Sequence, residues 1–358
     1  MIRVGLVGFG LAGKVFHAPL VSAVDGLELS AVVERSSRNA EAAYPGIATY
    51  PSLEAMLGDA TLELIVVATP DNLHVAHARQ ALEAGRHVIV DKPVAATAAE
   101  IATLMGLASQ VNRFLIPFHN RRWDSDFRTL QKLFHEEKLG RVVALESTFD
   151  RWRPHPRLEK WQEDGSTPGG VLTNLGTHLT DQALVLFGPP EAIGAEVLTE
   201  RDGGAAIDSF TVRLYYPRQT VTLGSNYLAA LPRPRYTARG TQGNFVKWGL
   251  DPQEARLKET GHYIDPHWGE EPTASWGTLA VEPKGDEGGS MVTHPVKPIP
   301  GDYRLYYAGV RDAILGKSQP PVSALDAWRV AQLLEWAIES SAKRAAIPCD
   351  WSAQPSAG

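Results

Sequence analysis

Two short stretches of the 358-residue chain carry side chains able to move a proton beside a reacting carbon. The first is Val90-Asp91-Lys92-Pro93. Its lysine follows an apolar run and precedes a proline, which puts it at the carboxyl end of a strand, facing a crevice. An ammonium there can bind a hydroxyl and lower its pKa, or share in proton transfer. The second runs from Gly169 to Asp181. On a helix, Asn174 and His178 are i,i+4 neighbours and His178 and Asp181 are i,i+3, so one face presents all three. Histidine titrates near neutrality and is a natural proton acceptor when an alcohol is oxidised. Asn174 is expected to orient it.

A hydride acceptor must come from elsewhere, and the first glycines supply a place for one. Gly8-Phe9-Gly10-Leu11-Ala12-Gly13 follows a strand pattern and opens a helical one. In a GxGxxG turn the first glycine makes the tight turn and the second lets a pyrophosphate approach. The third lets helix and strand pack, with the helix N-terminus toward the phosphates. Glu34 lies 21 positions after Gly13, at the end of the second apolar run, where a carboxylate binds ribose hydroxyls and favours NAD. Arg35, Ser36, Ser37 and Arg38 follow directly and could cradle a 2′-phosphate. The nucleotide is therefore NAD(P), with both forms open. Ala68-Thr69-Pro70-Asp71-Asn72, leading to His74, sits at another strand's carboxyl end and is expected beside the nicotinamide half.

Substrate contacts are expected at the junction His119-Asn120-Arg121-Arg122-Trp123, because domain junctions commonly bind ligands. They are also expected from the basic, aromatic loop holding Arg151, Trp152, Arg153, His155, Arg157, Lys160 and Trp161. Aromatic faces stack on sugar rings, and Arg or Lys binds hydroxyls or carboxylates.

The elements that position these groups change character part-way along. Continuous apolar runs at 3–7, 29–33, 62–68, 87–90 and 113–117 alternate with helical segments such as 75–84 and 98–109. That is the pattern of a doubly wound parallel sheet buried on both faces. A helix is predicted over 123–138. Alternating strands follow at 142–149, 192–198, 210–216, 220–227 and 235–239, interrupted by a helix at 170–187. Loops are predicted for about 260–300, then helices at 303–315 and 323–344 and a frayed tail at 354–358. The fold class is α/β, a Rossmann-type sheet over 1–119 plus an α+β domain with a large, mostly antiparallel sheet over 120–350. The last helices are placed against the first domain.

Composition excludes several classes. The formal net charge is −6 and no long basic run occurs, which argues against nucleic acid. No apolar stretch approaches the roughly 20 residues of a membrane span. The 11 histidines show no HxxxH or HExxH spacing, and one cysteine, Cys349, allows neither a paired-cysteine metal site nor an intrachain disulfide. No metal is expected. Met1–Gly8 enters a strand pattern without the regions of a secretory leader, and a cytoplasmic location is expected.

Longer strings are more specific than the glycines. GFGLAG at 8–13, ATPDNLH at 68–74, ALEAGRHVIVDKP at 81–93 and GGVLTNLGTHLTDQ at 169–182 resemble the glucose–fructose oxidoreductase/inositol dehydrogenase (Gfo/Idh/MocA) family. FHAPL at 16–20, HNRRWDSDF at 119–127, FDRWRP at 149–154 and GLDPQE at 249–254 resemble its scyllo-inositol dehydrogenase branch, typically NADP-dependent. The resemblance implies that Lys92 contacts the substrate near the reacting carbon, that His178 is the catalytic histidine and Asp181 the acid after it. It further implies that Asp91 belongs to the nucleotide-binding turn. The substrate would be a cyclic polyol or sugar such as scyllo-inositol, or an aldose oxidised at its anomeric carbon. A homo-oligomer, dimer or tetramer, would form through the second sheet. A non-catalytic nucleotide sensor is the rival within the same fold. Asn174 stands where many relatives carry Asp, and Glu34 where the NADP-using branch often has a hydroxyl residue.

Overall fold

The computed structural model describes residues 1–34, 38–159, 163–165, 170–260, 265–282 and 290–356, and the elements counted are those among these residues. The chain builds two sheets. The first contains β1 (Ile2–Val7), β2 (Leu27–Val33), β3 (Ala48–Tyr50), β4 (Leu64–Val67), β5 (His87–Val90) and β6 (Leu115–Pro117). All its pairings are parallel, in the order β3-β2-β1-β4-β5-β6. This is the strand order of dinucleotide-binding folds, whose ligands lie where the order reverses, outside the carboxyl ends of β1 and β4.

Helices α1 (Ala18–Ser22), α2 (Asn39–Ala43), α3 (Leu53–Leu57), α4 (His74–Glu83) and α5 (Ala98–Gln110) connect these strands. Thr97 and Glu100 close a capping box at the start of α5. Strands such as Leu64–Val67 are buried along their whole length, which explains their unbroken apolar runs.

The second sheet contains β7 (Val142–Thr148), β8 (Ala192–Leu198), β9 (Ser209–Tyr216), β10 (Gln219–Asn226), β11 (Tyr236–Gly240), β12 (Gly243–Lys247), β13 (Gly277–Val281), β14 (Val292–Val296) and β15 (Ile347–Pro348). Its order is β14-β13-β12-β11-β7-β10-β9-β8-β15, antiparallel except for the β7–β10 pair. Helices α6 (Ser125–His135), α7 (Thr177–Phe187), α8 (Gln253–Thr260), α9 (Arg304–Ile314) and α10 (Ala324–Lys343) accompany it.

The last two helices reach both faces of the first sheet. Tyr303, Tyr306, Tyr307 and Val310 join the core over β1, and Leu325, Ala327 and Trp328 join the core on the opposite face. Leu333 and Ala337 of α10 continue into the core of the second sheet. No described helix is long and apolar enough to cross a membrane.

Four expectations are corrected. The loop predicted for 260–300 contains β13 and β14, whose short length and flanking Pro and Gly concealed them. The predicted helix 123–138 is α6, shorter at both ends, and a separate 3₁₀ turn, Asn120–Trp123, precedes it across Asp124. The helix predicted over 170–187 opens with a π turn, Leu172–Gly176. The helix after the glycine motif likewise opens with a π turn, Gly13–His17.

Candidate active site

The glycine loop shows three different environments. Gly8 has φ +100°, and a Cβ there would lie 2.7 Å from the Ala68 carbonyl oxygen. The loops after β1 and β4 thus touch at the reversal point. A Cβ on Gly13 would meet the Gly8 carbonyl oxygen at 2.1 Å, so helix and turn close only without one. A Cβ on Gly10 would meet nothing within 4 Å. That open, exposed position, with Leu11 67% exposed beside it, fits a dinucleotide pyrophosphate. Phe9 packs edge-on to Tyr44, and Ala12 packs partly into the core.

At the end of β2, Glu34 accepts the Ala40 amide at 2.8 Å and so anchors the start of α2. Arg38 is exposed; Arg35, Ser36 and Trp161 lie outside the described residues. After β4, the Thr69 hydroxyl lies 3.3 Å from His77 Nδ1. Pro70 and Asn72 are exposed. His74 is buried between two carbonyl oxygens, with Nδ1 2.7 Å from that of Pro93 and Nε2 2.8 Å from that of Thr69. It ties the turn after β4 to the lysine turn after β5, whose Lys92–Pro93 peptide is cis.

Lys92 leaves β5 toward the second sheet. Its Nζ donates to the Asn174 side-chain oxygen at 2.8 Å and to the Asn174 carbonyl at 3.0 Å. Burial pushes its pKa down to about 8, against the pull of Asp91 and with help from Arg121. Asp91 lies 3.6 Å from His17 Nε2 and accepts the Lys92 amide at 2.7 Å. Burial tends to raise Asp91, but His17 holds it below the usual carboxylate range.

His178 is buried, and its Nδ1 has no partner among the described residues. Burial first, then the charges of Lys92 and Arg121, hold its pKa well below the ordinary value. It is therefore a neutral imidazole at pH 7. His119 is also buried, with both ring nitrogens unpartnered among the described residues, and burial lowers its pKa.

Of the three residues expected on one helix face, the structure keeps only His178 free. Asn174 lies inside the π turn, where the i,i+4 rule of a 3.6-residue helix does not hold, and its carboxamide is taken by Lys92. Asp181 accepts two hydrogen bonds from Arg122, at 2.9 Å and 2.6 Å. Arg122 also pairs with Asp326 at 3.1 Å, so its guanidinium is occupied by two carboxylates rather than exposed to a substrate. Asp326 closes the capping box of α10 with Ser323. Trp123 packs edge-on against Tyr306 instead of lining an open pocket.

Three guanidiniums surround Phe149. Arg121, Arg151 and Arg235 lie 5.0, 5.1 and 5.8 Å from its ring centre. Arg121 pairs with Asp124 at 3.1 Å and with Glu254. Burial tends to raise the Glu254 pKa, but Arg121 and Lys258 bring it down to about 2. Glu254 and His17 are site-facing groups that spacing arguments missed. Their partners are 133 and 290 residues away, and only the strings GLDPQE and FHAPL contained them.

Lys92 at the end of β5 and the buried His178 thus lie in each other's electrostatic field beside the glycine-loop sheet, and known proteins match this chain. Residues 2–119 match the model described as the oxidoreductase family with an NAD-binding Rossmann fold, and residues 127–246 match the GFO/IDH/MocA C-terminal domain. The chain belongs to the Gfo/Idh/MocA oxidoreductase family. The uncharacterized oxidoreductase YdgJ of Escherichia coli is 40% identical over 97% of this chain and 98% of its own. The NADP⁺ scyllo-inositol 2-dehydrogenase IolW of Bacillus subtilis is 33% identical over 97% of this chain and 95% of its own. Among solved structures, YPO2259 of Yersinia pestis superposes with a TM-score of 0.92 at 41% identity, covering 98% of this chain and 97% of that one. The Gfo/Idh/MocA chain described here is thus an NAD(P)-dependent oxidoreductase with a parallel sheet followed by a mostly antiparallel one.

Proposed function

We propose that the enzyme moves a hydride between the nicotinamide and a ring carbinol or ketone of a cyclic polyol or sugar, with scyllo-inositol and its ketone as the leading pair. The observation that carries this reading is the Lys92 ammonium, held by Asn174 at 2.8 Å, in electrostatic reach of the unpartnered His178 imidazole.

The Gly8–Gly13 loop would hold the pyrophosphate, Glu34 the adenosine ribose, and Ala68, Thr69, Pro70, Asn72 and Asp91 the approach to the nicotinamide. When bound, the nicotinamide supplies the carbon that takes or gives the hydride. Lys92 donates to the reacting oxygen and lowers its pKa. His178, neutral in its buried setting, takes the alcohol proton in oxidation and returns it in reduction. Asn174 is a positioning residue that fixes Lys92, and Asp181 positions the site through Arg122. The anchored carboxylate of Glu34 favours NAD, because it repels a 2′-phosphate. Self-association through the second sheet belongs to the same reading. The large apolar side chains Leu198, Trp248 and Leu250 stand exposed near its strands, and light scattering tests it.

The deciding experiment follows absorbance at 340 nm with NAD and NADP separately, against inositol isomers and common aldoses. Turnover of an inositol supports the leading pair. Turnover only of an aldose moves the reacting carbon to the anomeric position. Nucleotide binding without turnover of any alcohol or ketone overturns the reading in favour of a sensor.

A further inference from the structure

The charge around the reacting position is out of balance. Arg121 has Asp124 and Glu254, and Arg235 has Asp126 at 3.2 Å and the Gln182 side-chain oxygen at 2.7 Å. Arg151 shares the Phe149 ring with both of them but has no acceptor for its guanidinium among the described residues. The carboxylate that acts on it most strongly is Glu254, already held by Arg121 and Lys258. Arg153 likewise rests on an aromatic face, 5.4 Å from the Tyr227 ring centre, without an acceptor among the described residues.

The backbone makes this a built feature. The amides of Arg151 and Arg153 donate to the carbonyls of Asn226 and Tyr227, and Trp152 bridges Leu228. Residues 151 and 153 therefore share one side of an extended ribbon, while Trp152, 57% exposed, takes the other. Both arginines are half-buried. Burial and the neighbouring Arg153 charge lower the pKa of Arg151 against the weaker pull of Glu254. Lys92 stands in the same field, and its acceptors on Asn174 are both uncharged.

A half-buried guanidinium without an acceptor is costly unless a ligand completes it. We propose that the substrate carries an oxyanion, a carboxylate or a phosphate, and that Arg151, with Arg153 beside it, forms the subsite that binds it. This rests on the dehydrogenase reading and moves its preferred substrate from neutral scyllo-inositol to an acidic or phosphorylated polyol or sugar. The glycine loop suited to the nucleotide's pyrophosphate belongs to the other sheet, which leaves these arginines to the substrate. Planar guanidinium–oxyanion pairing also accounts for arginine, rather than lysine, at both positions.

The test compares matched pairs, glucose with glucuronate and an inositol with its monophosphate. It uses the full-length enzyme and its Arg151→Gln and Arg151→Lys variants. In at least one pair, the charged member should exceed the neutral one in kcat/KM by about tenfold or more. The pair that responds separates carboxylate from phosphate. The ratio should collapse toward one in Arg151→Gln and stay intermediate in Arg151→Lys. Equal or better use of the neutral members overturns the proposal, as does a ratio that survives Arg151→Gln. A variant that chiefly loses nucleotide affinity also overturns it.

If no member is turned over, the dehydrogenase reading for these alcohols fails. Calorimetry of glucuronate and inorganic phosphate against the nucleotide complex then decides the subsite. Binding lost in Arg151→Gln sustains it, and no binding, or binding unchanged in the variant, refutes it.

Discussion

The Lys92 ammonium makes two hydrogen bonds to one residue, Asn174, at 2.8 Å to its side-chain oxygen and 3.0 Å to its carbonyl. The bonds cross from the end of β5 to the turn before α7, so a single residue pair joins the two sheets at the reacting position. Both acceptors are neutral, and they take two of the ammonium's three N–H donors.

Replacing that ammonium removes the donor without disturbing the glycine loop. Lys92→Met should lower turnover at least about 100-fold, while nucleotide affinity, followed by fluorescence titration, stays nearly unchanged. Turnover that survives would show that the lysine is not the group acting on oxygen.

Asn174→Asp tests the same contact through pH. Lys92 titrates at about 8. In alcohol oxidation neutral His178 takes the proton while the enzyme needs the Lys92 ammonium, so kcat/KM should hold around neutral pH and fall as pH rises through about 8. A carboxylate at position 174 stabilises the charged form and raises this pKa. The alkaline limb should therefore move upward by about one pH unit. A limb that stays in place, or moves down, would show that Lys92 does not govern it.

Arg122 should matter more to stability than to binding. Its removal leaves the buried Asp181 and the partly exposed Asp326 without their shared guanidinium. Arg122→Met should cost about 3 kcal/mol in urea unfolding. A loss below about 1 kcal/mol would mean that the clamp contributes no more than a surface pair.

The glycines separate packing from binding. Gly13→Ala drives a Cβ into the Gly8 carbonyl and should lower the melting temperature and nucleotide affinity together. Gly10→Ala meets open space, so its melting temperature should stay close to the parent's while nucleotide affinity drops about tenfold or more. Equal thermal damage from both would contradict the assignment of the open position to a ligand.

Glu34 is the lever on nucleotide choice. Glu34→Ser removes a fixed negative charge from the end of β2. The ratio of kcat/KM for NADP over NAD should rise about tenfold. An unchanged ratio would assign discrimination to groups other than this carboxylate.

Local chemistry made part of this legible beforehand. The glycine spacing, Glu34 and the strand-end position of Lys92 are short-range facts, because a βα turn sets its own geometry. Asn174 and Asp181 were placed on the right helix but given the wrong partners. The inference assumed 3.6 residues per turn, and Leu172–Gly176 is wound wider. Arg122 and Trp123 are expected in a pocket because they lie at the junction of the two sheet regions. What occupies them comes from α7, α9 and α10, more than 50 positions away. The strands β13 and β14 are five residues each and carry Pro295 and Gly277. Their pairing, not their own periodicity, makes them strands.

The long helix α10 has a mechanical consequence. Its first turns sit in the core of the parallel sheet and its later turns in that of the second sheet. Glu335 accepts the first amide of α5 at 2.8 Å, while Ser340 and Ser341 accept amides from β8 at 3.0 and 2.9 Å. Twenty residues of helix make a rod of about 30 Å, fastened at both ends. A clam-shell opening would have to tear one core or snap the rod. The helix thus couples the two sides of the cleft, so that opening one against the other means breaking packed core.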